Sequence, residues 1–282
     1  MTDDTATIET DASADAGPQA VGRLAIGVDV GGSGIKTAVV DIDAGRFHSE
    51  RLRVPTPVPS PPERVSASIG RLVRRLTKEG GLPADVPVGV GLPGVAINGR
   101  LATAANIDPA WVAFPIAERL AKSLKRRVEI VNDADAAGIA EMRWGVGRGK
   151  AGTVIFLTLG TGVGSGVFVD GILVPNTEFG QMEIAGRPAE RRSSAAARVR
   201  RGLSWKAWAQ DLDEHLQHIE NLMWPTLFIL GGGVSKNADK FVPRLTCRTP
   251  VVAAALRNDA GIIGAAIVAA EGFADAKTTQ DD

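Results

Sequence analysis

Residues 24–42, LAIGVDVGGSGIKTAVVDI, read as strand, glycine turn, strand. LAIGVDV (24–30) is apolar at almost every position, as in a strand covered on both faces. GGSG (31–34) is a turn, and IKTAVVDI (35–42) resumes with β-branched residues. A dinucleotide fold or a P-loop would place a helix directly after its glycines, and neither the GxGxxG nor the GxxxxGK[ST] spacing occurs here. A glycine hairpin instead lets backbone N–H groups approach phosphate oxygens, because no Cβ blocks the way. Gly31 and Gly32 supply that backbone, Ser33 and Lys36 offer side-chain donors, and Asp29 at the strand end is placed to hold Mg²⁺ directly or through water. An ordinary tight hairpin would use the same residues.

The same order returns from residue 153: TVIFLTL (153–159) is a strand, GTGVGSG (160–166) a glycine turn, VFVDGILV (167–174) another strand. Two such units, each opening an α/β segment, predict two related lobes with a central cleft. Gly160, Thr161 and Gly162 would there face the same phosphates as the first hairpin. A third glycine turn in LFILGGGVS (227–235) ends a strand at Leu230 and precedes the helical-looking KNADKFVPRL. Gly231, Gly232 and Gly233 would line the far side of that cleft, a position that approaches the nucleoside in nucleotide-using relatives of such a fold, or else merely permit close packing.

Between the hairpins, VEIVNDADAAGIAEMRWG (128–145) reads as a strand, a junction at Asn132 and Asp133, and an alanine-rich helix ending near Gly145. One Asn or Asp at such a junction is explained as a helix cap, but NDAD holds more than a cap needs. Phosphoryl transfer asks the protein to align an oxygen nucleophile, neutralise charge and accept a proton. Asp133 would accept the proton and Asn132 orient a neighbouring hydroxyl, while Asp135 points elsewhere and supports the helix terminus. Glu178 and Gln181 in NTEFGQMEI, with Glu190 in AERRSSAAA, are planar polar side chains able to grip sugar hydroxyls. His215 and His218, in a helix with Asp211 and Asp213, lack the partners of a metal site and read as surface histidines. Trp205, Trp208, Leu212, Leu216 and Ile219 follow helical spacing and belong to a core.

Hydrophobic residues make up 44% of the 282, charged residues 23%, and mean hydropathy is +0.05, a globular balance. No apolar run reaches the roughly 18–20 residues of a membrane helix. Residues 1–20 have neither a basic nor an apolar leader region and are expected to be a disordered acidic tail, which makes a cytoplasmic location the expectation. The chain then divides into an N-terminal lobe at 21–131, a C-terminal lobe at 132–270 whose last helix packs back on the first lobe, and a flexible tail at 271–282. The single Cys247 excludes an internal disulfide and a thiolate-rich zinc site. Residues 1–20 hold five acids and no base, and 271–282 four acids and one lysine, so the neutral chain carries +8 between them. Basic clusters around Arg71–Lys78, Lys122–Arg127 and Arg187–Arg201 make a polyanionic partner plausible, although solvated helix faces fit them equally.

With these segments assembled, the chain resembles the ROK family of sugar kinases and, within it, the polyphosphate glucokinases and glucomannokinases of actinobacteria. The resemblance spans about residues 22–270 and rests on IGVDVGGSGIKTAVVD, GVGLPGV, IVNDADAAG, LTLGTGVGSG, NTEFGQMEI, AERRSSAAA, LGGGVS and RNDAGIIGAA, in that order. It implies an actin-like ATPase (ribonuclease H-like) two-lobe α/β fold, a homodimer, Mg²⁺ dependence, and phosphorylation of a hexose at its 6-hydroxyl. Carried over by motif, Asp133 is the base; Asn132, Glu178, Gln181 and Glu190 contact the sugar, with Pro93, Gly94 and Asn106 closing over the ring; Gly31, Gly32, Ser33, Lys36, Gly160, Thr161 and Gly162 form the phosphate loops.

Two departures bear on function. The family's cysteine cluster before the last sugar-binding Glu is absent, so no structural zinc is expected; and Gln181 stands where most members have His. The second implies looser discrimination at C2, with mannose accepted beside glucose. The basic clusters and the segments GLSWKAW and CRTPVVAAALRNDAG favour inorganic polyphosphate as donor, with ATP as a second one. The alternatives are an ATP-only glucokinase or amino-sugar kinase, and a non-catalytic sugar-responsive regulator. A repressor would need a DNA-binding module where this chain has acidic residues that fit no helix-turn-helix and repel nucleic acid.

Overall fold

The computed structural model describes residues 9–11, 22–104 and 107–272. Asn106 and most of both expected tails lie outside the described residues. The described residues form two units, one from those within the stretches before 93, between 96 and 131 and from 262 on, the other from 93–95 and 132–261.

In the first unit β1 (Glu9–Asp11), β2 (Leu24–Val30), β3 (Ile35–Asp41), β4 (Arg46–Phe47) and β5 (Arg51–Val54) precede helix α1 (Pro62–Glu79) and β6 (Val88–Leu92). A small hairpin, β7 (Ala96–Ile97) and β8 (Arg100–Leu101), leads to α2 (Ile116–Leu124) and β9 (Val128–Asn132). The sheet order is β1-β5-β3-β2-β6-β9, with β4 beside β3. The disorder expected of residues 1–20 does not extend to Glu9–Asp11, whose backbone pairs antiparallel with Arg51–Arg53. Without β1 the outer edge of β5 would leave its N–H and C=O groups unpaired, and such an edge accepts an extended segment.

The second unit holds α3 (Asp133–Trp144), β10 (Thr153–Leu159), β11 (Val163–Val169), β12 (Ile172–Val174), β13 (Glu183–Ile184), β14 (Arg187–Pro188), α4 (Glu190–Ser193), α5 (Ala195–Arg200), α6 (Trp205–Met223), β15 (Leu227–Gly231) and β16 (Val251–Ala253). Its main sheet runs β12-β11-β10-β15-β16. The internal repeat is one of pairing as well as sequence. β2 is antiparallel to β3 and parallel to β6, as β10 is antiparallel to β11 and parallel to β15. β2 and β10 even share one burial pattern, with only their first and sixth residues partly accessible. Helices cover both faces of such strands, which is why they are apolar without alternation.

Helix α7 (Ala260–Glu271) returns the chain to the first unit. Gly27 and Gly89 are register partners on β2 and β6, and a Cβ on either would overlap a backbone carbonyl of this helix, at Ile262 and Ala265 respectively. The helix, AGIIGAAIVAAE, is built of small and apolar residues, so it lies directly on that glycine pair. In the second unit Trp208, Leu212, Leu216 and Ile219 of α6 pack on Ile155, Leu157, Phe228 and Leu230 of the sheet. No helix of the described residues is long and apolar enough to cross a membrane.

The second glycine stretch differs from its expectation. Only Gly160–Gly162 turn, and β11 already begins at Val163, pairing with Leu159. Gly164 and Gly166 are strand residues because α3 lies against them: a Cβ at Gly164 would come within 2.8 Å of both Ala134 Cβ and Thr158 Oγ1. Past β11 the chain reverses through Asp170 and Gly171, both with positive φ (50° and 82°), the conformation that two-residue hairpins favour.

The α7 contact gives a stability test. Gly27→Ala should lower the thermal midpoint, at a cost of about 1–3 kcal/mol for overpacking against backbone. Gly233→Ala, whose added methyl meets nothing within 4 Å, should stay near the parent value. Equal melting of both variants would contradict the packing described.

Candidate active site

Asn132 ends β9 with extended backbone and caps α3: its Oδ1 accepts from Ala134 N at 2.8 Å and Asp135 N at 3.0 Å. Its Nδ2 donates to Gly94 O at 3.1 Å, which ties the Pro93–Gly94 turn to the same helix start. The amide that the resemblance assigns to a sugar hydroxyl is thus buried and engaged at both ends, leaving its second N–H for ligand. Asp133 is the first residue of the helix, half-buried, where the exposed N–H groups favour a negative charge. Its Oδ1 accepts from Ala134 N at 2.9 Å, and a Cβ on Gly164 would lie 4.0 Å from it. The carboxylate therefore sits over the start of β11, beside the Gly160–Gly162 turn.

The segment carrying Glu178 and Gln181 is fastened to β11. Ser165 Oγ donates to Thr177 O at 2.7 Å and accepts from Phe179 N at 3.0 Å. Gly180 passes so close to β11 that any Cβ would overlap Val163 O. Phe179–Gln181 form a single 3₁₀ turn, and Gln181 Nε2 donates to Glu190 Oε1 at 3.2 Å. The other oxygen of Glu190 accepts from Val163 N at 3.1 Å, at the foot of the glycine turn. Within the second unit, then, Asn132, Asp133, Gly94, Glu178, Gln181, Glu190 and the Gly160–Gly162 hairpin form one connected neighbourhood. Thr161 at the hairpin tip is exposed.

Asp135 differs from its expected role at the helix terminus. It is buried, and Oδ2 accepts from Asn176 N at 2.8 Å, anchoring the entry to the 177–181 segment. Its Oδ1 has no hydrogen-bond partner among the described residues. Burial pushes this carboxyl up to about 7, against the pull of the Asn176 N–H, with the negative charges of Asp133 and Glu178 adding to the rise. Glu178 is raised as well, by burial first and then by the charge of Glu190. Four carboxyl groups, those of Asp133, Asp135, Glu178 and Glu190, share this neighbourhood.

In the first unit the β2–β3 hairpin presents Gly32 and Ser33 to solvent, and Gly31 N donates to Gly34 O at 3.0 Å. Lys36 donates to Asp29 Oδ2 at 2.8 Å across the register pair, so the expected phosphate donor and the expected Mg²⁺ carboxylate are partners in this state. No group of three or more acidic, histidine or cysteine side chains among the described residues could hold a metal alone. One carboxylate nevertheless suits Mg²⁺, which keeps several waters and takes its other oxygens from substrate phosphates.

Of the third glycine turn, Gly231 has its Cβ position taken by the Phe156 ring at 2.7 Å and Gly232 (φ 82°) by Leu159 backbone. Close packing accounts for both, whereas Gly233 faces open space. Several cations of the basic clusters serve the fold: Arg192 and Arg201 both reach Asp211, at 2.5 and 2.6 Å. Arg198 stacks on Trp205 at 4.0 Å, and Arg126 donates to Pro83 and Val86 carbonyls.

His215 is not a surface residue; it is fully buried, bonded to Ser193 and to the Phe179 carbonyl. A signal was present. His215 stands on the stripe of Trp208, Leu212, Leu216 and Ile219, where a polar residue needs buried partners.

Two sheets of one topology, each opening with a strand–glycine turn–strand, and an acid at a capped helix start define a sugar-kinase-like member of the actin-like ATPase fold. Residues 25–187 match the ROK family, and the chain belongs to that family. It is 45% identical over 246 residues to the polyphosphate glucokinase of Mycobacterium tuberculosis, covering 87% of this chain and 91% of that one. The enzyme of the same name from Mycobacterium leprae is 44% identical, covering 86% and 73%. Among solved structures, the inorganic polyphosphate/ATP-glucomannokinase of Arthrobacter sp. strain KM superposes with TM-score 0.85 at 49% identity, covering 88% of this chain and 98% of that one. A ROK family glucokinase from Streptomyces griseus, in complex with glucose and AMPPNP, gives TM-score 0.76 at 26% identity, covering 88% and 100%.

Because the Asp135 carboxyl is raised in the folded state and ordinary in the unfolded one, ionising it opposes folding. Stability should fall as pH rises from about 4 to 7, by up to about 4 kcal/mol from this group. Asp135→Asn retains an acceptor for Asn176 N–H and should flatten that slope in denaturant titrations. An unchanged slope would show that Asp135 ionises as an ordinary surface acid.

Proposed function

We propose that this chain is a hexokinase transferring the terminal phosphoryl group of inorganic polyphosphate, with ATP as a second donor, to the 6-hydroxyl of glucose. The observation that carries the reading is Asp133 at the capped start of α3, with Glu178, Gln181, Glu190 and the Gly160–Gly162 turn gathered around the start of β11. Carboxylates and a carboxamide accept and donate hydrogen bonds to a neutral polyol, whereas glycine backbone suits phosphate. The names of the mycobacterial and Arthrobacter relatives support the same donor and acceptor.

In the reaction the sugar hydroxyl oxygen forms a bond to phosphorus and the bond from phosphorus to the bridging oxygen of the donor breaks. Asp133 accepts the hydroxyl proton, and the donor departs one phosphate shorter. The Asn132 cap and the Asn132–Gly94 bond hold the base where its oxygen meets the acceptor. We assign Gly31, Gly32, Ser33 and Lys36 to the donor phosphates, with Lys36 leaving Asp29 when they bind. Asp29 would hold Mg²⁺ through water, and the ion, when bound, neutralises charge on the phosphates. A homodimer is proposed on the family resemblance alone.

The decisive assay measures glucose 6-phosphate formed with purified polyphosphate and, separately, with ATP. Asp133→Asn should lower turnover by about 10²–10⁴ with either donor while glucose binding persists. Formation with ATP alone would leave an ATP-only glucokinase, and undiminished turnover would remove Asp133 from its role.

Mannose is the second acceptor we propose, because Gln181, fixed to Glu190, stands where most members of the family carry His. Gln181→His should shift the glucose-to-mannose ratio of kcat/KM toward glucose about fivefold, the worth of one hydrogen bond. A constant ratio would place selection elsewhere.

A further inference from the structure

We infer that His215 is a positioning residue for the acceptor sugar: a neutral imidazole, protonated on Nε2, that clamps the Glu178–Gln181 turn to the short helix headed by Glu190. This rests on the reading that those two segments bind the sugar. Nothing in the reaction chemistry uses His215, yet it is fully buried on α6, and both ring nitrogens are bonded to segments that carry proposed sugar contacts.

The partners fix the protonation pattern. Nε2 lies 3.0 Å from Phe179 O, and a carbonyl only accepts, so Nε2 carries the hydrogen. Nδ1 lies 2.9 Å from Ser193 Oγ. In a neutral ring it is an acceptor, so the Ser193 hydroxyl donates to it. The competing acceptor for that hydroxyl, Ala189 O at 2.9 Å, already receives Arg192 N and Ser193 N at 3.0 Å each and loses nothing essential. Burial lowers the ring to about 4, against the pull of the Phe179 carbonyl and with His218 adding to the fall, so it is neutral at neutral pH.

The clamp adds a side-chain tie to two pieces that the β13–β14 hairpin and the Ala189 N to Met182 O bond (2.8 Å) join along the backbone. Phe179 stands between Glu178 and Gln181, and Ser193 closes the one-turn helix that Glu190 opens. Above the clamp the Gln181–Glu190 bond at 3.2 Å spans the same two segments. Asp133 is held by other elements, through Asn132, Gly94 and β9. Loosening the clamp should therefore weaken acceptor binding without moving the base, a separation that general destabilisation would not produce.

The test uses the full chain, with KM and kcat for glucose at saturating donor, thermal melts, and a two-bond ¹H–¹⁵N spectrum of the histidine rings. His215→Ala, if folded, should raise KM about fivefold to tenfold, the effect of losing a buried hydrogen bond, with kcat within about twofold of the parent. His215→Gln, whose carboxamide can donate to Phe179 O and accept from Ser193, should recover most of the affinity. Ser193→Ala should raise KM by a smaller factor. The signal lost in His215→Gln should be that of a neutral ring protonated at Nε2. A ring protonated at Nδ1 or at both nitrogens, parental KM in both Ala variants, or a loss confined to kcat would each overturn the inference. If His215→Ala does not fold, Ser193→Ala and the spectrum decide. A parent chain that neither binds nor phosphorylates glucose would sink the site assignment itself, whereas an active parent with unresponsive variants sinks the clamp alone.

Discussion

The proposed chemistry depends on how closely the start of α3 lies on β11. Ala134 occupies the space that a side chain at Gly164 would need, and Gly138, one turn further on, leaves room for the Phe168 ring, 2.7 Å from its Cβ position. Those two glycines let the helix descend onto the strand, and Asn132 then closes its first turn. Asp133 inherits its place from that descent. A helix held farther away would carry the same carboxylate but would separate it from the glycine turn and from the 177–181 segment that β11 also supports.

Much of the frame was legible because it is local. The apolar runs at 24–30 and 153–159, the glycines after them and the NDAD junction each declare an element through residue type and spacing, and the strands form where those patterns lie. The boundary of the second turn was misread for a physical reason. Gly164 and Gly166 look like turn residues in isolation, and only the helix pressed on them from elsewhere in the chain explains them as strand residues.

The same limit governs the polar residues. Helical spacing places His215 on an apolar stripe but does not name what it meets, and its partners come from positions 179 and 193. Asp135 is similar: two residues from Asp133 it reads as a terminus residue, while its partner Asn176 lies beyond a hairpin and a strand. The basic clusters show the converse. Charge in sequence suggested a track for a polyanion, but Arg192, Arg198 and Arg201 are fastened to Asp211, Glu214 and Trp205, which long-range packing alone decides.

The two sheets also differ at one matching cross-strand pair. On β2 and β3 the second register pair from the turn is Asp29 with Lys36, a half-buried ion pair at 2.8 Å. The matching pair on β10 and β11 is Thr158 with Gly164, where the threonine hydroxyl accepts from Gly164 N at 3.3 Å. Charge at that place in the first unit fits a loop that exchanges an internal partner for phosphate. Emptiness in the second makes room for α3, and with it for Asp133. The duplicated strand–turn–strand thus differs at this cross-strand pair, which is filled by an ion pair in one copy and cleared for a helix in the other.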